Sequence, residues 1–125
     1  MSRVSAVIYS ILISLFTLFV LLQVFFAGLA VFYTPVYWTW HITLVHVFEW
    51  IPLFLIVFSL LGRMSAWARL SSIGLFLLLI GQYVTANTRE VPFISALHPV
   101  NALMIFLIAI LATYSSWREV LGGDQ

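Results

Sequence analysis

Cysteine is absent from all 125 residues. That excludes disulfides, thiolate metal ligands, iron–sulfur ligation and covalent haem attachment within this chain, and leaves His, Glu, Asn or Met for any metal. Charge is nearly as scarce: 7% of the residues are charged, against about 25% in an ordinary soluble domain. Lysine is missing, the five basic residues are arginines placed singly, and the net charge is +1, so nothing points to nucleic acid. A di-iron carboxylate centre needs several glutamates on inward helix faces, and only Glu49 lies inside a hydrophobic run.

What is present is hydrophobic, at 64% of the chain. Spanning segments and short turns use up almost all of its length, which predicts one all-α domain over 1–125, an up-down four-helix bundle in a prokaryotic cell membrane. Helices are expected over 4–33, 40–61, 69–87 and 95–117, followed by a polar tail. The first apolar run is longer than a signal-peptide core and lacks a cleavage pattern before Gln23, so it reads as a mature helix. Thr34-Pro35-Val36 ends it, with Tyr33, Tyr37, Trp38 and Trp40 as an interfacial aromatic belt. Pro52 should kink the second helix, because it lacks the N–H that would bond the Phe48 carbonyl. For the fourth helix, Ser95 as N-cap and Pro99 as first helical residue are both open. Arg3, Arg63, Arg69 and Arg118 fall on one side, and only Arg89, next to Glu90, on the other. The excess of arginine puts both termini in the cytoplasm.

Polar residues at membrane depth are costly and mark function by default. His46, Glu49, Gln82, His98, Asn101 and Gln23 all belong to the outer half, while the inner half reads as almost pure Leu, Ile, Val and Phe. In an up-down bundle the second and fourth helices are diagonal, so His46 and His98 are expected to face each other across the core. Gly28, with Ala27, and Gly81 would flank a slot for a planar macrocycle, the arrangement of b-type haem with two histidine ligands. Gln23, Glu49, Gln82 and Asn101 would orient the rings, and Arg89, His41 and Tyr33 at the rim would meet the propionates. The alternative for each histidine is a hydrogen-bonded packing residue. Zinc held by histidines and Glu49 is the weaker metal reading, because His41 and His46 lie about 140° apart around the helix.

At Gln23-Val24-Phe25-Phe26-Ala27-Gly28-Leu29 and Ala96-Leu97-His98-Pro99-Val100-Asn101-Ala102-Leu103 the chain resembles an uncharacterised prokaryotic family of small four-helix membrane proteins. In that family a Gln-x-x-x-Ala-Gly, a His, a Gln and a Leu-His-Pro recur on successive helices, and the resemblance puts Gln23, His46, Gln82 and His98 in those places. The order His, Gln, His on helices two to four is also similar to one half of haem A synthase, whose corresponding histidines ligate haem. That family carries Glu-x-x-His-Arg around the second-helix histidine, whereas here Glu49 follows His46 and no arginine is present. Gln23-x-x-x-Ala27 and Gln82-x-x-x-Ala86 echo each other, as in a duplicated helix pair. Three functions follow as expectations: a small b-type haem protein for electron transfer or haem handling in a respiratory system, not necessarily an enzyme; a cofactor-free accessory or assembly subunit of a membrane complex; or a quinone-binding protein using His46 and Glu49. A larger respiratory complex or a second copy of the chain are the expected partners besides lipid.

Overall fold

Arg3–Phe32 forms the first helix, α1, in the computed structural model, which describes residues 2–122. It is followed by α2, Tyr37–Phe48, α3, Ile51–Leu61, α4, Ala66–Asn87, and α5, Pro92–Gly122. Of the polar tail predicted after residue 117, residues 118–122 continue α5, and 123–125 lie outside the described residues. Four helices are long and apolar enough to cross a membrane, with α2 and α3 together making one of them, Tyr37–Leu61. The chain therefore has the build of a multi-pass membrane protein.

Local chemistry explains the boundaries. Between α2 and α3 the helix breaks at Glu49-Trp50, three and two residues before Pro52, where the missing proline N–H interrupts the ladder. α4 starts three residues earlier than the sequence pattern predicts, because Ser65 caps it: its Oγ accepts from Ala68 N at 3.2 Å. Glu119 of α5 in turn accepts from Ser65 Oγ at 2.5 Å and Ser65 N at 3.1 Å. α5 begins at Pro92, ahead of both predicted starts, and runs through Pro99 without a break. Pro92 suits the first turn, whose N–H groups have no helical partner anyway.

α1 packs against α2, α3 and α5, and α4 against α3 and α5. The four spans thus follow one another around a square, with the α2–α3 span diagonal to α5. One end, here the terminal end, carries the N-terminus and the Gly62–Ser65 turn; the distal end carries the turns at 33–36 and 88–91.

The close-packed core occupies the terminal half. Ala6, Tyr9, Ile13 and Phe16 are fully buried against Leu55, Leu75, Ala109 and Ala112. This half is less uniformly Leu, Ile, Val and Phe than the sequence leads one to expect. Ser10, Ser59, Ser71, Ser72 and Ser116 are buried there as well, and Tyr9 Oη donates to the Ala68 carbonyl at 3.1 Å. Trp117 Nε1 donates to Ser14 Oγ at 3.0 Å, and Thr17 and Thr113 meet at 3.0 Å. Small hydroxyl residues let helices approach and return their protons to carbonyls one turn back, so these hydroxyls are paired within the bundle.

Gly62 marks the closest approach in that half. A Cβ there would sit 2.9 Å from the Phe58 carbonyl oxygen and 3.3 Å from Ala6 N of α1, both backbone atoms. Gly62→Ala should therefore destabilise the protein by about 1–3 kcal/mol, the usual cost of overpacking. Thermal unfolding in detergent checks this. Gly74→Ala, where a new Cβ meets nothing within 4 Å, should not lower the midpoint.

Candidate functional site

In the distal half the inward stripes continue but are no longer sealed. On α1 the stripe Ala6, Tyr9, Ile13, Phe16, Val20 is buried, whereas the next two positions, Gln23 and Ala27, are half-buried before Ala30 is buried again. No residue of α5 before Ile105 is buried, and Phe48 alone is buried on α2. A Cβ added to Gly28 would meet open space, while one on Gly81 would touch only Asn101 of α5, at 3.5 Å.

Two brackets of the same construction stand in this half. His41 Nδ1 donates to the backbone carbonyl of Gln23 at 2.8 Å, and Gln23 Nε2 donates to the His41 carbonyl at 2.7 Å. On the other pair of spans, His98 Nδ1 donates to the backbone carbonyl of Gln82 at 3.2 Å, shared with Thr85 Oγ1 at 3.1 Å. In each bracket a glutamine carbonyl holds the histidine of the next span by its Nδ1–H. The echo between the Gln23 and Gln82 segments thus has a counterpart in their contacts.

The tautomers follow from these bonds. A carbonyl can only accept, so Nδ1 carries the proton in both rings and Nε2 keeps its lone pair. His41 Nε2 has no partner among the described residues, and His98 Nε2 meets only Gln82 Nε2, at a long 3.5 Å. Asn101 Nδ2 donates to the Leu78 carbonyl at 2.8 Å and to Gln82 Oε1 at 2.7 Å, which orients the Gln82 amide towards His98. Gln23 Oε1 is buried with no donor.

His46 belongs to a different cluster. Its side chain is 57% exposed and turned to Glu49, with Nδ1 3.3 Å from Glu49 Oε2. Tyr83 of α4 donates its hydroxyl to the same oxygen, and its ring stacks on His46 with centroids 6.3 Å apart. The predicted pairing of His46 with Glu49 at i, i+3 is therefore present, as is the joining of Gln82, His98 and Asn101. The structure does not join His46 to His98: Tyr83 takes one and Gln82 with Thr85 the other. His41, read from the sequence as a rim residue, is held by Gln23 inside the bundle, with Trp38 packed edge-on at 5.6 Å. Arg89 is exposed in the distal turn. Thr85 and Tyr83 escaped the sequence reading, since a hydroxyl near a helix end carries no signal of its own.

Among the described residues no three of His, Asp and Glu come together closely enough to hold a metal. Nothing among curated proteins or solved structures matches the chain. Residues 23–89, just over half of it, match a family of unknown function, and that segment takes in the Gln23–His41 bracket and the His46–Glu49–Tyr83 cluster but ends before His98. The chain belongs to that family, DUF6220.

Proposed function

We propose that this protein is a small b-type haem protein of a prokaryotic cell membrane, holding one haem in its distal half between His41 and His98. Its work would be electron transfer or haem handling for a larger respiratory system. The observation that carries the reading is the paired bracket. Metal-ligating histidines characteristically donate their second ring N–H to a carbonyl or carboxylate, which fixes the tautomer and raises ligand basicity. Both rings have this form, on diagonal spans, in a half of the bundle where Gln23 and Ala27 of the inward stripe are half-buried. Gly28 borders open space on α1, and the buried Gln23 Oε1 has no donor among the described residues. Haem would supply a one-electron couple there, and His41 and His98 are the residues that would hold it. Gln82 and Asn101 would steady His98, Gln23 would steady His41, and Arg89 at the distal turn would meet a propionate. His46, the ligand favoured by sequence order, is the poorer candidate because its ring is turned towards Tyr83.

The absorption spectrum of protein purified in mild detergent from haem-replete cells tests the reading. A Soret band with sharp α and β bands on reduction is expected. Colourless, folded protein would sink it, and would support a cofactor-free accessory subunit whose brackets fasten helices together.

The arginine distribution further assigns both termini to the cytoplasm and the distal end to the outer face. The absence of cysteine makes this simple to measure. Cysteine placed at Thr34 should react with an impermeant reagent on intact cells, and cysteine at Ser2 should be protected. The reverse pattern would move the distal half to the cytoplasmic side.

A further inference from the structure

We infer that the His46–Glu49–Tyr83 cluster is a second site, open sideways to the lipid, which takes the hydroxyl of a membrane-dissolved hydroquinone. This inference is independent of the haem reading, since none of the three residues belongs to either bracket.

The hydrogen bonds assign what the site offers. Tyr83 spends its hydroxyl proton on Glu49 Oε2. What lies near His46 Nδ1 is then two acceptors, Glu49 Oε2 at 3.3 Å and the Tyr83 oxygen at 3.4 Å. Nδ1 must therefore carry the proton, and the neutral ring keeps Nε2 as a bare acceptor. That nitrogen has no partner among the described residues, on a ring more than half exposed. The carboxylate behind Nδ1 makes Nε2 a better acceptor, as it does for histidine ligands of metals. The site asks for an O–H donor.

Depth selects the donor. Glu49 is the midpoint of the span Tyr37–Leu61, twelve residues from either end, or about 18 Å at 1.5 Å per residue. Phospholipid headgroups and aqueous solutes stay above that level, so the ligand must be soluble in the hydrocarbon and carry a hydroxyl into it. The surroundings suit a flat ring: Tyr83 already stacks on His46, and Trp50 beside Glu49 is 61% exposed. A second copy of the chain suits it poorly. A twofold contact brings the same patch to itself, which would set one Nε2 lone pair against another.

The test uses the purified protein in lipid nanodiscs with ¹⁵N-labelled histidine, the His46 ring resonances being identified by their loss in His46→Phe. Duroquinol should shift the His46 Nε2 resonance saturably and leave those of His41 and His98 in place. Duroquinone, which has carbonyls but no hydroxyl, should bind more weakly. Glu49→Gln keeps an oxygen for Nδ1 but loses the carboxylate, and should weaken duroquinol binding about two- to tenfold, the effect of one hydrogen bond. No saturable shift at His46, a shift at His41 or His98 instead, or equal binding of duroquinone would overturn the inference. So would a His46 shift that follows the protein-to-lipid ratio rather than duroquinol, which would identify a self-contact.

Discussion

His41→Ala and His98→Ala should each strip haem from the purified protein, lowering the Soret absorbance per polypeptide by at least about tenfold, whereas His46→Ala should leave the band nearly intact. Mutating even an outer-shell partner of a metal ligand typically costs 10–100-fold in affinity, so loss of a histidine that would hold the haem should cost no less. The two bracket histidines present the same chemistry, Nδ1–H on a glutamine carbonyl and Nε2 unprotonated, and neither can replace the other. His46 instead has its ring on the exposed side with Tyr83. The experiment distinguishes two ligand pairs, since the order of motifs along the chain favours His46 with His98. Loss of haem in His46→Ala but not in His41→Ala would restore that pair and reduce the Gln23–His41 bracket to a helix fastener.

Phe48→Ala is expected to be the most damaging single truncation in the distal half. Phe48 is 2% exposed, edge-on to Phe16 and stacked on Phe19, with both centroid distances 5.5 Å. It is also the last residue of α2, just before the break, so it fixes where that span rests on α1. Lipid tails are as apolar as a protein core, so in the bilayer the transfer part of the usual phenylalanine cost largely vanishes. The void remains: at about 24 cal/mol per Å³, a hole on the order of 100 Å³ costs about 2 kcal/mol. Phe93→Ala makes the control, because Phe93 is 77% exposed and exchanges ring–lipid contacts for lipid. Denaturant unfolding in mixed micelles should show a lower midpoint for Phe48→Ala and almost none of that shift for Phe93→Ala. Equal shifts would mean that the Phe16–Phe19–Phe48 cluster does not hold α2.

The sequence by itself determined the features that depend on neighbours along the chain. Four spans, the break before Pro52, the Thr34-Pro35 turn and the His46–Glu49 pair all follow from helix period, proline chemistry and the length needed to cross hydrocarbon. The polar cluster of the distal half was legible in the same way, whereas the serines and Tyr9 buried at the other end were not. Only the tertiary structure decided which face of each helix turns inward. In a soluble helix the polar side announces the water; here lipid and core are both apolar, so the stripe of α2 that meets α1 looks like the stripe that meets the bilayer. His41 and His46, about 140° apart on one helix, could not be ranked by hydrophobic pattern, and the contact with Gln23, 18 residues away in sequence, ranks them. For the same reason Gly62 rather than Gly28, Gly74 or Gly81 proved to be the glycine where backbones crowd, since closeness of approach belongs to a pair of helices and neither sequence contains it alone.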